Sequence, residues 1–132
     1  MIPESHKDLL EGPVVVTLVT MMPDGQPQAT PVWCKYDGEN IIVNTAVGRQ
    51  KDQNMKANPK VTVLAVDPRN PYRFIEVRGE VTHYTTEGAL AVIDELAQLY
   101  FGREKFYGDK DPSEIDEQRI TFVITPRRVI AH

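Results

Sequence analysis

Short runs of β-branched and aromatic residues, separated by turn dipeptides, constrain this chain more than any other feature of its sequence. Val14 to Met21, Gln28 to Tyr36, Asn40 to Ala46, Lys60 to Val66, a run opening near Tyr72 and Ile120 to Ile130 each read as strands. Pro23-Asp24-Gly25 and Asp37-Gly38 carry turn chemistry, with glycine supplying the positive φ that tight turns need. In the fifth run Ile75, Val77, Gly79 and Val81 alternate with Glu76, Arg78, Glu80 and Thr82, so one face is apolar and the other charged. Gly79 in mid-strand predicts a bulge or a close backbone approach. Thr125-Pro126 interrupts the last run. Strands joined mostly by hairpins, with few helices, point to an antiparallel barrel and away from a parallel sheet.

Three helical segments flank the strands. Ser5 to Leu10 is ended by Gly12-Pro13. A short helix from Arg49 stops at Asn58-Pro59, because a residue before proline avoids the helical region. Gly88 to Tyr100 places Leu90, Ile93, Leu96, Ala97 and Tyr100 on one face, to be laid against the sheet. Gly102 to Pro112 is a charged loop. The expected fold class is therefore mainly β with flanking helices, a six-stranded antiparallel barrel forming a single domain over residues 1–132.

The sequence has 132 residues, 41% hydrophobic, enough for one globular core but not for two Rossmann-type halves. No Gly-x-Gly-x-x-Gly follows a strand. The formal charge of −4 argues against nucleic acid as a partner, since phosphate backbones demand a basic face. One cysteine, Cys34, excludes an internal disulfide. An amino terminus without an apolar signal core, and apolar runs far short of the ~20 residues that span a bilayer, lead to the expectation of a cytoplasmic protein with no membrane partner.

Against that acidic background, Gly48-Arg49-Gln50-Lys51-Asp52-Gln53-Asn54-Met55 stands out. A turn after a strand delivers two cations onto the first turn of a helix, at the positive end of its dipole. Cations there are unfavourable by a few tenths of a kcal/mol unless an anion joins them, and a helix N-terminus with free N–H groups already suits an anion. Arg49 and Lys51 together ask for a phosphate; the plain alternative is a solvated helix start. Gln50 and Asn54 would add neutral donors, the alternative for Asn54 being an exposed helix position. Lys56 is a further cation nearby.

Other candidates are weaker in chemistry. Strand alternation places Thr30 and Val32 on one face and Pro31 and Trp33 on the other, with Trp33 expected in the core or an interface. Pro31 cannot donate to a sheet ladder and marks an edge whose backbone groups are free for a ligand. His6, His83 and His132 share no spacing that would assemble a metal site. No nucleophile elbow or Cys–His motif is present, and Glu114, Asp116 and Glu117 read as a solvated turn. A site without an acid–base constellation suits either hydride chemistry drawn from a cofactor or simple cofactor binding.

The ordered set Thr30-Pro31-Val32-Trp33, Thr45-Ala46, Gly48-Arg49-x-Lys51, Asn58-Pro59-Lys60-Val61-Thr62-Val63-Leu64 and Ile75-Glu76-Val77-Arg78-Gly79-Glu80-Val81 resembles the split-barrel flavin and deazaflavin oxidoreductases. That is the superfamily of pyridoxamine phosphate oxidase, and the chain is most similar to its short branch that uses coenzyme F-420. The resemblance implies a split barrel and a cofactor phosphate on Arg49 and Lys51, with Gln50 and Asn54 beside it. It implies a ring system along Thr30, Pro31 and Val32, bordered by Thr45 and Ala46. It also implies a homodimer in which Tyr72 and Phe74, with Arg73, cover the site of the neighbouring subunit. The activity implied is hydride transfer from reduced F-420 to a small conjugated acceptor. FMN in the same pocket is the alternative cofactor, and a non-enzymatic carrier or sensor the alternative class. Pyridoxamine phosphate oxidase itself has a longer carboxyl-terminal region contributing substrate contacts, so the vitamin substrate is disfavoured.

Overall fold

The computed structural model describes residues 1–132. A 3-10 turn over Glu4–Leu9 leads into β1 (Val16–Met21), β2 (Pro27–Val32), β3 (Lys35–Tyr36), β4 (Ile41–Ala46), helix α1 (Gln50–Ala57), β5 (Lys60–Val66), β6 (Phe74–Thr85), helix α2 (Ala89–Phe101) and β7 (Arg119–Ala131). All seven strands form one antiparallel sheet in the order β2-β1-β5-β6-β7-β4-β3.

This order explains the curl. β2 and β3 are the two edges of the sheet, yet only Trp33 and Cys34 separate them along the chain. A flat seven-stranded sheet would hold its edges far apart, at about 4.8 Å per strand step. The sheet must therefore roll until its edges meet at Trp33-Cys34, the seam of a split barrel. Tyr100 of α2 pins that seam. Its hydroxyl accepts from the Cys34 N–H at 2.9 Å and lies 2.8 Å from the Val14 carbonyl oxygen. The expected second strand, Gln28 to Tyr36, is thus divided in two, which turns six expected strands into seven.

The rolled sheet encloses Leu18, Ile41, Val43, Val63, Ile75, Val77, Phe122 and Ile124, closed at one end by Leu9 and Leu10 and at the other by Met55. Inward residues of β6 are those of the apolar alternation, and Arg78 on the other face is exposed. On α2, Ile93, Leu96 and Ala97 are buried, but Leu90 is 37% exposed and does not belong to the packed face as the helical spacing implied. Cys34 is fully buried, its thiol 3.5 Å from the Leu10 carbonyl oxygen; burial pushes it up to about 12, so it stays protonated and is no nucleophile.

β7 does not break at Thr125-Pro126. It runs through, and the irregularity is absorbed as a register shift where Gly79 of β6 faces Pro126. A Cβ on Gly79 would sit 2.7 Å from Ile124 Cγ2 and 3.0 Å from the Thr125 carbonyl oxygen. The backbone oxygen cannot move without disturbing the ladder. Gly79→Ala should therefore destabilise by about 1–3 kcal/mol through overpacking alone; an unchanged urea midpoint would show that the bulge can relax.

Candidate cofactor site

A cleft of about 300 Å³ opens beside the seam. The ends of β2 and β4 give it Pro31, Val32, Asn44 and Thr45, and the start of α1 gives Arg49 and Lys51. Ile93 and Leu96 of α2 form an apolar wall, Trp33 and Phe106 an aromatic one, and Arg119 enters from the first residue of β7. Apolar walls around a few convergent polar groups are the usual make-up of a small-molecule site.

Local conformation places the cations. Gly48, at φ 95°, turns the chain out of β4. Arg49 caps α1 in extended conformation without a side-chain hydrogen bond to the helix. The first-turn N–H groups of Gln50, Lys51 and Asp52 have neither backbone nor side-chain acceptors, as expected of a helix start. Asp52 is turned inward: its buried carboxylate accepts from the Gly48 N–H at 2.8 Å and pairs with Lys56 at 3.0 Å. Lys56 is thereby committed to Asp52 and adds no charge to the cleft.

Arg119 is the best-held charge of the site. It is 6% exposed, its Nε donates to Asn44 Oδ1 at 2.9 Å, and its Nη1 donates to Glu117 Oε2 at 3.0 Å. Its guanidinium lies 5.2 Å over the ring of Phe106, a cation–π distance. Glu117 also receives the Tyr107 hydroxyl at 2.5 Å and stands 3.6 Å from Arg49 Nη2. The Tyr107 hydroxyl first, and then Arg119 and Arg49, hold its carboxyl below the usual carboxylate range. Lys51 has no carboxylate partner. Burial, with the positive charges of Arg49 and Arg119, brings its ammonium below the usual lysine range. Three cations thus face one carboxylate in a chain of net charge −4.

The sequence-derived candidates divide. Pro31, Val32, Thr45, Arg49 and Lys51 converge on the cleft. Thr30, Ala46, Gln50 and Asn54 do not line it. Thr30 pairs with Leu18 further along β2, and Ala46 is buried behind the cleft. Asn54 is neither exposed nor free: 1% exposed, it donates to Thr20 Oγ1 at 3.1 Å and accepts from the Gln50 amide at 2.8 Å, locking α1 onto β1. Trp33 is not in the core; it walls the cleft, stacked on Tyr100 at 5.2 Å and edge-on to Phe106 at 5.9 Å. Tyr72, 82% exposed, and Phe74, stacked on His132, lie at the opposite end of β6 and β7 from Arg119. Along β7 that separation is about 40 Å, so within one protomer they cannot touch the cleft.

Sequence reasoning missed Asn44, Phe106, Glu117 and Arg119. Glu117 is not in a solvated turn but bridges Tyr107, Arg119 and Arg49. Arg119 immediately precedes the last strand-like run and pairs with Ala46, a long-range register that no local pattern reveals.

Thr45 supplies the test of whether a ligand fits. It is 2% exposed, and its Oγ1 has no hydrogen-bond partner although it lines the cleft. An orphaned buried hydroxyl is unfavourable by about 1–3 kcal/mol, and a polar ligand edge would relieve it. A tricyclic cofactor with a phosphate fits this donor set: an aromatic and apolar slot, a hydroxyl for the ring edge and cations for the phosphate. Thr45→Val should leave stability equal or higher and weaken cofactor binding by about three- to ten-fold. Equal binding would mean that the hydroxyl meets no ligand.

Comparison with known proteins shows the family of the chain. Residues 2–132 match the family model described as pyridoxamine 5'-phosphate oxidase. The chain belongs to that family. It is a split-barrel family of flavin and deazaflavin oxidoreductase type that also includes binding proteins. Pyridoxine/pyridoxamine 5'-phosphate oxidase of Rhodopseudomonas palustris (strain TIE-1) is 31% identical over 99 residues, covering 74% of this chain and 42% of the relative. The chain thus spans less than half of that relative's length. Among solved structures, an F-420 reductase superposes with a TM-score of 0.83 at 35% identity, covering 98% of both chains. HupZ of Group A Streptococcus superposes at 0.71 with 22% identity, over 99% of this chain and 94% of its own, a likeness of fold alone.

Proposed function

We propose that this member of the pyridoxamine 5'-phosphate oxidase family is an oxidoreductase that uses coenzyme F-420 to transfer hydride to a small conjugated acceptor. The observation carrying this reading is the 35% identity, over 98% of both chains, to a protein described as an F-420 reductase. The cleft supports it. Arg49 and Lys51 hold the phosphate and the acidic tail; Arg, with its fork of donors, fixes orientation, while Lys acts as a point charge. The Thr45 hydroxyl and the backbone at Pro31 and Val32 orient the polar edge of the ring. Trp33, Ile93 and Leu96 exclude water from its face. When bound, the deazaflavin supplies the hydride chemistry, and the protein contributes position and electrostatics.

FMN is the second reading, favoured by the flavin binding of the family. Titration of the apo protein with each cofactor, followed by ligand fluorescence, separates the two. Tighter binding of F-420 is expected, with a margin that shrinks as salt screens its additional carboxylates. Submicromolar FMN binding without detectable F-420 binding would replace the proposal by the second reading. Binding of both without turnover of enones, quinones or nitro compounds would leave a carrier.

The proposal includes a homodimer. A cleft of about 300 Å³ is at the small end for a ligand site, whereas bound cofactors bury most of their surface. A groove of about 480 Å³ on the outward side of β1, β5 and β6 exposes Val19, Met21 and Thr62 between charges already paired within the chain, Arg78 with Glu76 and Arg127 with Glu80. Apart from Lys60 its cations are paired within the chain, and it holds no orphaned hydroxyl, which suits it to a second copy better than to an anionic ligand. In such a pair the partner would bring Tyr72 and Phe74 to the cleft. Sedimentation equilibrium should give a dimer at micromolar concentration; a cofactor-loaded monomer would exclude a shared site.

A further inference from the structure

Glu117 is a single carboxylate set among the cations of a cleft read here as an anion site. It lies on the segment 102–118 that connects α2 to β7, and two other residues of that segment stand with it. Phe106 walls the cleft between Trp33 and Arg119, and Tyr107 donates its hydroxyl to Glu117 Oε2. The two carboxylate oxygens do different things. Oε2 is tied to Tyr107 at 2.5 Å and to Arg119 at 3.0 Å. Oε1 faces Arg49 at 3.6 Å, in contact range for an ion pair but too long for a hydrogen bond. Both side chains of that second pair are partly solvated, 54% exposed for Arg49 and 35% for Glu117.

We infer that Glu117 is an internal competitor for the anion site: its carboxylate neutralises Arg49 until the phosphate of a bound cofactor takes its place. The asymmetry of the two oxygens makes the exchange inexpensive. The strong contacts, to Tyr107 and Arg119, stay in place, and only the long, solvated contact to Arg49 is given up. Pairs of that kind contribute little and are screened by salt. The carboxylate also repels an incoming dianion at short range, so its charge lowers the affinity of the cleft beyond the contact itself. The consequence is selectivity by charge. Weak monoanions gain little by displacing Glu117, whereas a phosphate carrying two charges, or a phosphate joined to carboxylates, gains enough.

The inference rests on the proposed cofactor reading, and calorimetric titration separates the failure of one from the failure of the other. Parent, Glu117→Gln and Arg49→Ala proteins are titrated at low salt with FMN, coenzyme F-420 and riboflavin, which shares the FMN ring but has no phosphate. Glutamine preserves the shape of the side chain and its contacts to Tyr107 and Arg119 while removing the charge. Glu117→Gln should bind FMN and F-420 roughly three- to ten-fold more tightly, with riboflavin unchanged and the gain fading at high salt. In the Arg49→Ala background the gain should shrink, since the contested cation is gone. Equal or weaker FMN binding by Glu117→Gln overturns the inference, and so does a gain shared equally by riboflavin. If Arg49→Ala binds FMN and F-420 like the parent, the cofactor reading falls first and this inference with it. Should Glu117→Gln fail to fold, Tyr107→Phe tests the same point in the other direction. Freed from the hydroxyl, the carboxylate competes harder for Arg49, so FMN should bind about two- to three-fold more weakly; unchanged FMN binding in that variant overturns the inference.

Discussion

Lys51→Ala should lower cofactor affinity by about ten- to a hundred-fold and leave the apo protein as stable as the parent or more so. A charge-assisted contact to a phosphate is worth roughly 1.5–3 kcal/mol, and Lys51 has no carboxylate to share it with. In the apo fold the ammonium is a liability. Burial, then Arg49 and Arg119, lowers its pKa, so the folded state disfavours its charged form. The sign follows from linkage: a base whose pKa is lower folded than unfolded binds protons better when unfolded. Its penalty is fully present below the folded pKa and is relieved as pH rises toward the ordinary lysine value of 10.5. The stability advantage of Lys51→Ala over the parent should therefore be greatest near neutral pH and vanish in strong alkali. Arg49→Ala should lose affinity to a similar extent, but it also releases Glu117, so its loss and the gain of Glu117→Gln should not add. Two variants that bind FMN and F-420 like the parent would place the phosphate elsewhere and refute the reading of α1 as the clamp.

How much of this was legible in the sequence depended on range. Turn chemistry at Pro23-Asp24-Gly25 and Asp37-Gly38 and the alternation from Ile75 to Thr82 are local signals, and the strands appear where they point. Gly79 announced its bulge because a strand interior has few reasons to keep a glycine. The proposed clamp was suggested for the same reason: Arg49 and Lys51 conflict with their own helix dipole, and such a conflict shows within four residues. The second half of the site was not legible. Arg119 meets Asn44 and Ala46 only through the pairing of β7 with β4, and Glu117 reaches Arg49 only because the segment after α2 folds back over the seam. Asn54 lies outside the cleft for a converse reason. A polar residue on a short helix reads as exposed or functional, yet here Thr20 and Gln50 satisfy it inside the protein. The division at Trp33-Cys34 was hidden because a two-residue bend between edge strands has no composition of its own.

Arg119→Ala should behave unlike Lys51→Ala, with loss of stability as well as of binding. Arg119 is 6% exposed and holds three side chains: Asn44 on β4, and Glu117 and Phe106 on the 102–118 segment. Its removal leaves Asn44 Oδ1 without its donor and Glu117 without its principal cation. Breaking a fully buried pair is unfavourable by about 3–5 kcal/mol, but Glu117 is 35% exposed and can turn to water. An expected loss of about 2–4 kcal/mol follows, enough to lower the melting temperature by roughly 6–15 °C in a domain of this size. Arg119→Lys keeps the charge and loses the fork that reaches Asn44 and Glu117 together, so it should recover part of the binding and little of the stability. The effect should concentrate at the aromatic wall: with its cation gone, Phe106 loses its seat against Trp33, and Trp33 fluorescence should report a more solvated ring before global unfolding begins. Thermal and urea unfolding of Arg119→Ala coincident with the parent would show that Asn44, Glu117 and Phe106 are held by other means. Arg119 would then be a binding cation like Lys51 and not the pin of the cleft.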